Sequence, residues 1–374
     1  MDKINVGITI AVDKETESLF SNGIKQNAII LRDTFLAMDI VNEVYFINFG
    51  KQKDLSKSPW KIYEQHMIDF EGALEKLQLI VTATQFISGT YLERIQAKGI
   101  RLVNLVLGNE YYGFCESVLF KDDHNTIRRK QKGYNASWLT PQHFETNRDI
   151  MEVMFETTSH VCPYIWSPKF LTENLAVYEK KGKPTSYTNK GEKKRISIFE
   201  PNINMVKTSV FPMVISEKLY LKRPELLEHI NVFGTTKVRT KRHFKDFARD
   251  LTSHRDKVMT FEDRFTIVWS LLEHTDIVLA HQQDNALNYL YFDVAWLGFP
   301  LVHNAHFIKG LGWYYGGFFA NDAVNHLINI IENFDKDEDT RTKYLQASRA
   351  YISQFLPTHP RNVYGYQKLT EQLF

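Results

Sequence analysis

The stretch Asn285–Val302, NALNYLYFDVAWLGFPLV, decides the fold. Its apolar residues run at helical spacing to Leu297, Gly298 is a left-handed stop, and Pro300 opens a short apolar strand. The pattern predicts a helix over 285–297 and a strand over 300–303. A helix that turns at a glycine into a short apolar strand is half of a strand–helix–strand unit, the repeat of a parallel sheet covered on both faces. Asn285 stands where this helix should start and is placed to cap it. Free N–H groups there favour an anionic group such as a diphosphate. Asp293, two turns on, could accept hydrogen bonds from two adjacent sugar hydroxyls.

The same grammar extends in both directions. Asp276–Ala280, Ile230–Phe233 and Ile196–Phe199 read as strands, with helices over 204–221, 241–251 and 261–273 between them. Pro212 should kink the first of these helices. In the first half, Asn5–Val12, Val44–Asn48, Leu77–Thr82 and Ile100–Leu107 read as strands, with helices near 23–38, 91–98 and 144–156, the last leading to an apolar segment, Val161–Trp166. Between the halves, Glu179–Arg195 carries seven Lys/Arg, two Gly and a Pro with no apolar periodicity, and reads as a linker. The expected architecture is α/β, with two Rossmann-like parallel-sheet domains facing across a cleft. The expected bounds are 1–180, a basic linker 181–195, a second domain 196–350, and a C-terminal helical segment 351–374 crossing back to the first domain.

Composition agrees. The chain has 374 residues, 43% hydrophobic and 24% charged, with net charge +2, which excludes disorder as its dominant state. Two cysteines, Cys115 and Cys162, make neither a disulfide framework nor a zinc site. The N-terminus shows no signal-peptide anatomy and no apolar run approaches bilayer length, so a cytoplasmic protein is expected, in the host cytoplasm if it is viral. There is no G-x-G-x-x-G after the first strand, no P-loop, no H-E-x-x-H and no G-x-S-x-G. His303 and His306 lack nearby carboxylates, so no metal site is expected.

Parallel sheets bind ligands beyond the carboxyl ends of their strands. This directs attention to 13–26, 108–112, 200–208, 281–285 and 303–315. Glu200–Thr208 follows a strand and places Lys207 and Thr208 in the first turns of the next helix, where a cation and a hydroxyl could hold a diphosphate. His281, Asp284 and Asn285 follow another strand, and His303-Asn304 a third. The aromatics of Gly312–Gly317 could stack on a base or a sugar. In the first half, Asn22-Gly23 lies at a helix start. Asp13, Glu17 and Glu110 stand as alternative general bases, with nothing to choose among them.

Asn285–Val302 resembles the donor-site helix of the GT-B glycosyltransferases, in which two glutamates stand eight positions apart before a Gly and a Pro-Val strand. The resemblance puts Asp293 on the ribose-binding glutamate and Asn285 on the first one, with Asp284 beside it. Further blocks resemble a bacterial and phage family of such enzymes: Ser21–Asn27, Pro163–Pro168, Glu200–Asn204, Asn285–Leu290 and Leu301–Asn304. The resemblance implies a glycosyltransferase using a UDP-, GDP- or CDP-sugar. Its second domain would hold the donor through Glu200, Lys207, Thr208, His281, Asp284, Asn285, Asp293, His303 and Asn304, with Asn22 and Gly23 of the first domain facing the donor phosphates, and with no obligatory cofactor or metal.

Three basic runs, 121–132, 180–195 and 237–245, hold seventeen of the 46 Lys/Arg. Some phage relatives in that family glycosylate modified cytosines, which implies double-stranded DNA as a partner. Arg128, Arg129, Lys130, Lys132, Lys237, Arg239, Lys241 and Arg242 would meet its phosphates, and Tyr134, Trp138 and Tyr187 its bases. The arabinosyl or glucosyl group is the expected cargo. Surface-polysaccharide synthesis is the enzymatic alternative, and nucleic-acid binding without catalysis the non-enzymatic one.

Overall fold

The computed structural model describes residues 2–15, 23–83, 85–120 and 131–374. The chain divides into two compact units, Met1–Phe170 with Gln354–Phe374, and Leu171–Ser353. Each is a parallel sheet flanked by helices.

In the first unit the strands are β1 (Ile4–Ile10), β2 (Val41–Asn48), β3 (Met67–Ile68), β4 (Leu79–Thr82), β5 (Arg101–Val106), β6 (Ala136–Leu139) and β7 (Ser159–Val161). They lie in the order β3-β2-β1-β4-β5-β6-β7. β1 and β4 are apolar along almost their whole length and buried, as strands covered on both faces must be. The C-terminal helix Pro360–Glu371 lies on the helix Gly23–Leu36. Tyr366, fully buried, donates to the Pro163 carbonyl (3.0 Å) and meets Phe35 and Trp138 at ring distances of 6.1 and 5.9 Å.

In the second unit the strands are β8 (Lys194–Ile198), β9 (Leu227–Val232), β10 (Met259–Phe261), β11 (Ile277–Leu279), β12 (Leu301–His303) and β13 (Trp313–Tyr314), in the order β10-β9-β8-β11-β12-β13. Both sheets reverse direction of growth once, between β1 and β4 and between β8 and β11. Such a switch point leaves a crevice outside the carboxyl ends of the two central strands, where ligands of open parallel sheets bind. Among the described residues no helix is long and apolar enough to cross a membrane.

The apolar segment Val161–Trp166 is a strand only at its first residue. Beyond it the chain leaves the sheet, and Trp166 N–H donates to Phe355 O (2.8 Å). Several elements differ from the sequence reading. β3, β6, β10 and β13 are two to four residues long and carried no readable period. The helix expected over 261–273 is instead strand to Phe261 and helix over Ile267–His274.

The segment read as a linker is tied into the second unit. Lys194, 3% exposed, reaches Asp335 (2.5 Å), Tyr187 donates to the same carboxylate (2.6 Å), and Lys190 Nζ donates to Leu272 O (2.5 Å). Arg195 forks onto Asp276, which is 1% exposed. Its charges look solvated in sequence because their partners lie some 80 to 150 residues further along the chain. Buried cations need such partners.

Candidate functional site

The loops after β8 and β11 meet at the switch point of the second unit. Glu200 is fully buried two residues past β8, and its Oε1 accepts from His281 N–H (3.2 Å). Burial pushes its carboxyl up to about 7, against the opposing pull of Lys207 and of that N–H. Burial likewise lowers the Lys207 ammonium, with Glu200 acting to raise it and Arg264 adding to the lowering. Two cations therefore sit within electrostatic reach of each other with one carboxylate beside them. An anion placed among them relieves the repulsion.

Asn202, in the left-handed region (φ +53°), organises this loop. Its Nδ2 donates to Glu200 O (2.9 Å), and its Oδ1 accepts from both N–H (2.8 Å) and Oγ (2.9 Å) of Ser209. The next helix starts only at Val210, so Lys207 and Thr208 precede it rather than forming its first turns. Pro212 is its third residue, where no intrahelical donor is needed, and it costs no hydrogen bond.

The loop after β11 runs from His281 to Asn288 without helix or strand and bends at Gln283 and Asp284. The helix expected from Asn285 begins at Tyr289, and its cap is Asn288, whose side chain accepts from Leu290 N–H (3.3 Å). Asn285 is instead buried (3% exposed), its N–H donating to Gln282 Oε1 (2.5 Å). Its short polar side chain suited a cap, but no helical turn forms between it and Tyr289. Gln282 N–H donates to Asn304 Oδ1 (2.9 Å), and Asn304 Nδ2 returns to Gln282 O (2.8 Å). Asp284 takes a left-handed turn (φ +47°). The helix closes at Gly298 (φ +79°), where Phe299 N–H reaches back to Val294 O (3.1 Å). Asp293 is half-buried on this helix. Asn288→Ala should cost about 1 kcal/mol in urea unfolding, the usual worth of such a cap.

Polar atoms without partners gather here. Glu200 Oε2, Asn204 Oδ1, His281 Nε2, Asn285 Nδ2 and the Tyr291 hydroxyl are all buried and unbonded. Burial, with the Glu200 carboxylate near, holds the Tyr291 phenol well above its ordinary range. Buried polar atoms are normally satisfied, so such a group marks a place that a polar ligand would complete. Alongside lies a cavity of about 220 Å³ whose walls include Val206, Thr208, Phe211, His281, Gln283 and Phe318.

Other expected site residues lie elsewhere or act structurally. His303 is fully buried with both ring nitrogens used: Nε2 donates to Leu311 O (2.5 Å) and Nδ1 accepts from Ala305 N–H (3.1 Å). Burial pushes its imidazolium down to about 4. Trp313 and Tyr315 are not free to stack on a ligand. Trp313 lies on Tyr344 (5.1 Å) and Tyr315 is 1% exposed. In the first unit, Asp13 is an exposed loop acid accepting from Lys51 N–H (3.3 Å), Glu110 opens the helix Glu110–Phe120, and Gly23 opens the helix Gly23–Leu36. Glu17 and Asn22 lie outside the described residues.

Of the basic residues, Arg128, Arg129 and Lys130 also lie outside the described residues. Lys132 pairs with Glu156 (2.9 Å), Arg239 with Asp263 (3.0 Å) and Arg242 with Asp246 (3.7 Å), while Lys237 and Lys241 are exposed. Tyr134 and Trp138 are buried in the first unit's core, and Tyr187 packs on Phe299. These rings are therefore taken up by packing rather than offered to bases. Among the described residues, no group of three or more His, Cys, Asp or Glu is placed to hold a metal ion.

The sequence reading missed Arg264, Tyr291 and Gln282. Arg264 was placed inside a helix that in fact begins at Ile267. Tyr291 reads as a core aromatic, and Gln282 has no local pattern.

A family model described as "Protein of unknown function (DUF2827)" matches residues 6–370. The chain belongs to that family. No curated protein matches the DUF2827 chain significantly. Among solved structures it is similar to HepE of Anabaena in complex with UDP-glucose (TM-score 0.55, 13% identity, covering 98% of this chain and all of that one). It is also similar to a glycosyltransferase from Rickettsia africae ESF-5 (0.57, 10%, 99% and 100%). A third is WaaG, a glycosyltransferase involved in lipopolysaccharide biosynthesis (0.52, 13%, 96% and 98%). The DUF2827 chain thus has the GT-B fold, two parallel-sheet α/β domains.

Proposed function

We propose that this protein is a nucleotide-sugar-dependent glycosyltransferase whose second unit holds the donor. One observation carries the reading: the unbonded, buried polar atoms gathered at the β8–β11 switch point, beside Lys207. A nucleoside diphosphate sugar supplies what they lack, namely anionic oxygens for the cations and hydroxyls for the acceptor and donor atoms. UDP is the favoured nucleotide because HepE, with the same fold, was solved with UDP-glucose. When the glycosidic bond to the diphosphate breaks, charge accumulates on the leaving oxygens. Lys207 and Arg264 would meet it from fixed positions, the most effective arrangement for developing charge. The donor roles of Asn22, Gly23, Asp284, Asn304 and Asp293 belong to this proposal.

Asp293 would bind the ribose. Asp293→Ala should raise the KM for UDP-sugar about tenfold, the worth of one charged hydrogen bond, with kcat little changed. Initial rates across donor concentration check it.

For the acceptor we favour a hydroxyl on a modified cytosine in DNA. The resemblance to phage DNA-glycosylating enzymes and the exposed Lys237, Lys241 and Lys245 support it. The ion pairs of Arg239 and Arg242 and the likeness to WaaG favour the second reading, a surface glycan. Incubation with a panel of nucleotide sugars and hydroxymethylcytosine DNA, digestion to nucleosides and mass analysis tests both. A hexose or pentose mass added to the modified nucleoside supports DNA. Donor hydrolysis or glycan transfer without it removes DNA as acceptor. No turnover of any donor overturns the enzyme reading.

A further inference from the structure

His281 is 6% exposed, and its protonation is fixed by its surroundings. The Tyr315 hydroxyl donates to the Ala280 carbonyl (3.0 Å), which can only accept. That hydroxyl has one hydrogen, so its 3.0 Å contact with His281 Nδ1 must be donated by the imidazole. Nδ1 therefore carries the proton and Nε2 carries a lone pair. Burial keeps the ring neutral, its imidazolium pushed down to about 4. Nε2 has no partner.

The ring lines the 220 Å³ cavity together with Phe211 and Phe318, whose centroids stand 4.5 and 4.8 Å from it. The remaining walls are mostly apolar: Met205, Val206, Val210 and Val214. Phe318 is 62% exposed and follows Gly316 and Gly317, the latter at φ +43°. It is thus a poorly buried ring, on a backbone with few steric restraints, beside an acceptor that lacks a donor.

A neutral acceptor among aromatic and aliphatic walls suits a ligand with a hydroxyl and an apolar C–H face. A diphosphate does not fit that description, because an unprotonated nitrogen repels anionic oxygens. A sugar ring does. We propose that this cavity is the subsite for the transferred sugar, with the ring's C–H face resting on Phe318 and Phe211, and with the exposed Phe318 ring turning aside so that one sugar hydroxyl reaches His281 Nε2, which is covered in this structure. Tyr315 is the positioning residue that fixes the tautomer. The inference rests on the donor reading above and deepens it.

The test compares calorimetric affinities of the full chain for UDP and for UDP-glucose. In the wild type, UDP-glucose should bind tighter than UDP. In His281→Phe that advantage should fall about five- to tenfold, the worth of one hydrogen bond to a neutral group, and in Phe318→Ala it should fall through loss of the apolar contact, while the affinity for UDP moves less than twofold in both. Tyr315→Phe should reduce the same ratio and move the imidazole ¹⁵N shifts of His281 away from those of an Nδ1-protonated ring. The backbone N–H of residue 281, which serves Glu200, survives every substitution, and Phe318 is too exposed for its loss to unfold the unit. A wild type that binds UDP without preferring UDP-glucose, or variants that keep the preference, would overturn the subsite and leave the donor reading standing. A wild type that binds neither UDP, GDP nor CDP would overturn both.

Discussion

On the donor reading, Lys207→Met should weaken UDP binding by about 10- to 150-fold, because charge-assisted hydrogen bonds to a phosphate contribute about 1.5–3 kcal/mol. Methionine keeps the unbranched stem and removes only the charge. In the protein without ligand, the ammonium sits in a field it does not favour: burial and the Arg264 charge both act against its protonation, and Glu200 alone acts for it. A diphosphate reverses that balance, so the gain on binding is larger than for a lysine already at ease in water. The loss should appear in affinity for UDP itself, not only for UDP-sugar. Calorimetry at fixed ionic strength measures it; affinity within twofold of wild type would remove Lys207 from the site.

Glu200→Gln changes how stability depends on pH. The wild-type carboxyl is pushed up to about 7 in the folded protein, against 4.5 for the unconstrained group. Below the unfolded value both states are protonated and the residue has no pH effect. Between 4.5 and 7 the folded state holds more proton than the unfolded one, so wild-type stability falls as pH rises. Above 7 the whole penalty is present, up to about 3 kcal/mol at 1.36 kcal/mol per pH unit. Glutamine removes the slope and keeps an oxygen for His281 N–H. The variant's unfolding free energy relative to wild type should therefore be higher at pH 8 than at pH 4.5, by up to that amount. Urea melts at the two pH values check it. Equal differences at both would show that Glu200 titrates normally.

The strands that decide topology were readable because a strand buried on both faces is a continuous apolar run. Ile196–Phe199, Asp276–Ala280 and Pro300–His303 each contain or overlap a central strand of the second sheet. The edge strands were not, since two or three residues carry no period. Helix ends were legible where a residue has one conformational use, as at Gly298, and misread where a polar residue has several. Asn285 and Asn288 are equally good caps in sequence; in the structure Asn288 caps the helix, while Asn285 N–H is taken by Gln282 Oε1 in the preceding loop.

The electrostatics of the site were least legible. The couplings of Lys207 to Glu200 and Arg264 join loops after β8 and β10, and the His281–Tyr315 bond joins loops after β11 and β13. Local patterns say nothing about such pairs. The same blindness made Lys190, Lys194 and Arg195 look like a solvated linker when their partners bury them.

The most direct test of the donor reading is a crystal structure of the full chain with UDP. The account predicts the diphosphate beyond the carboxyl ends of β8 and β11, bonded to Lys207 Nζ, with the ribose hydroxyls on Asp293. UDP bound elsewhere on the chain, or no nucleotide bound at millimolar UDP, would contradict it.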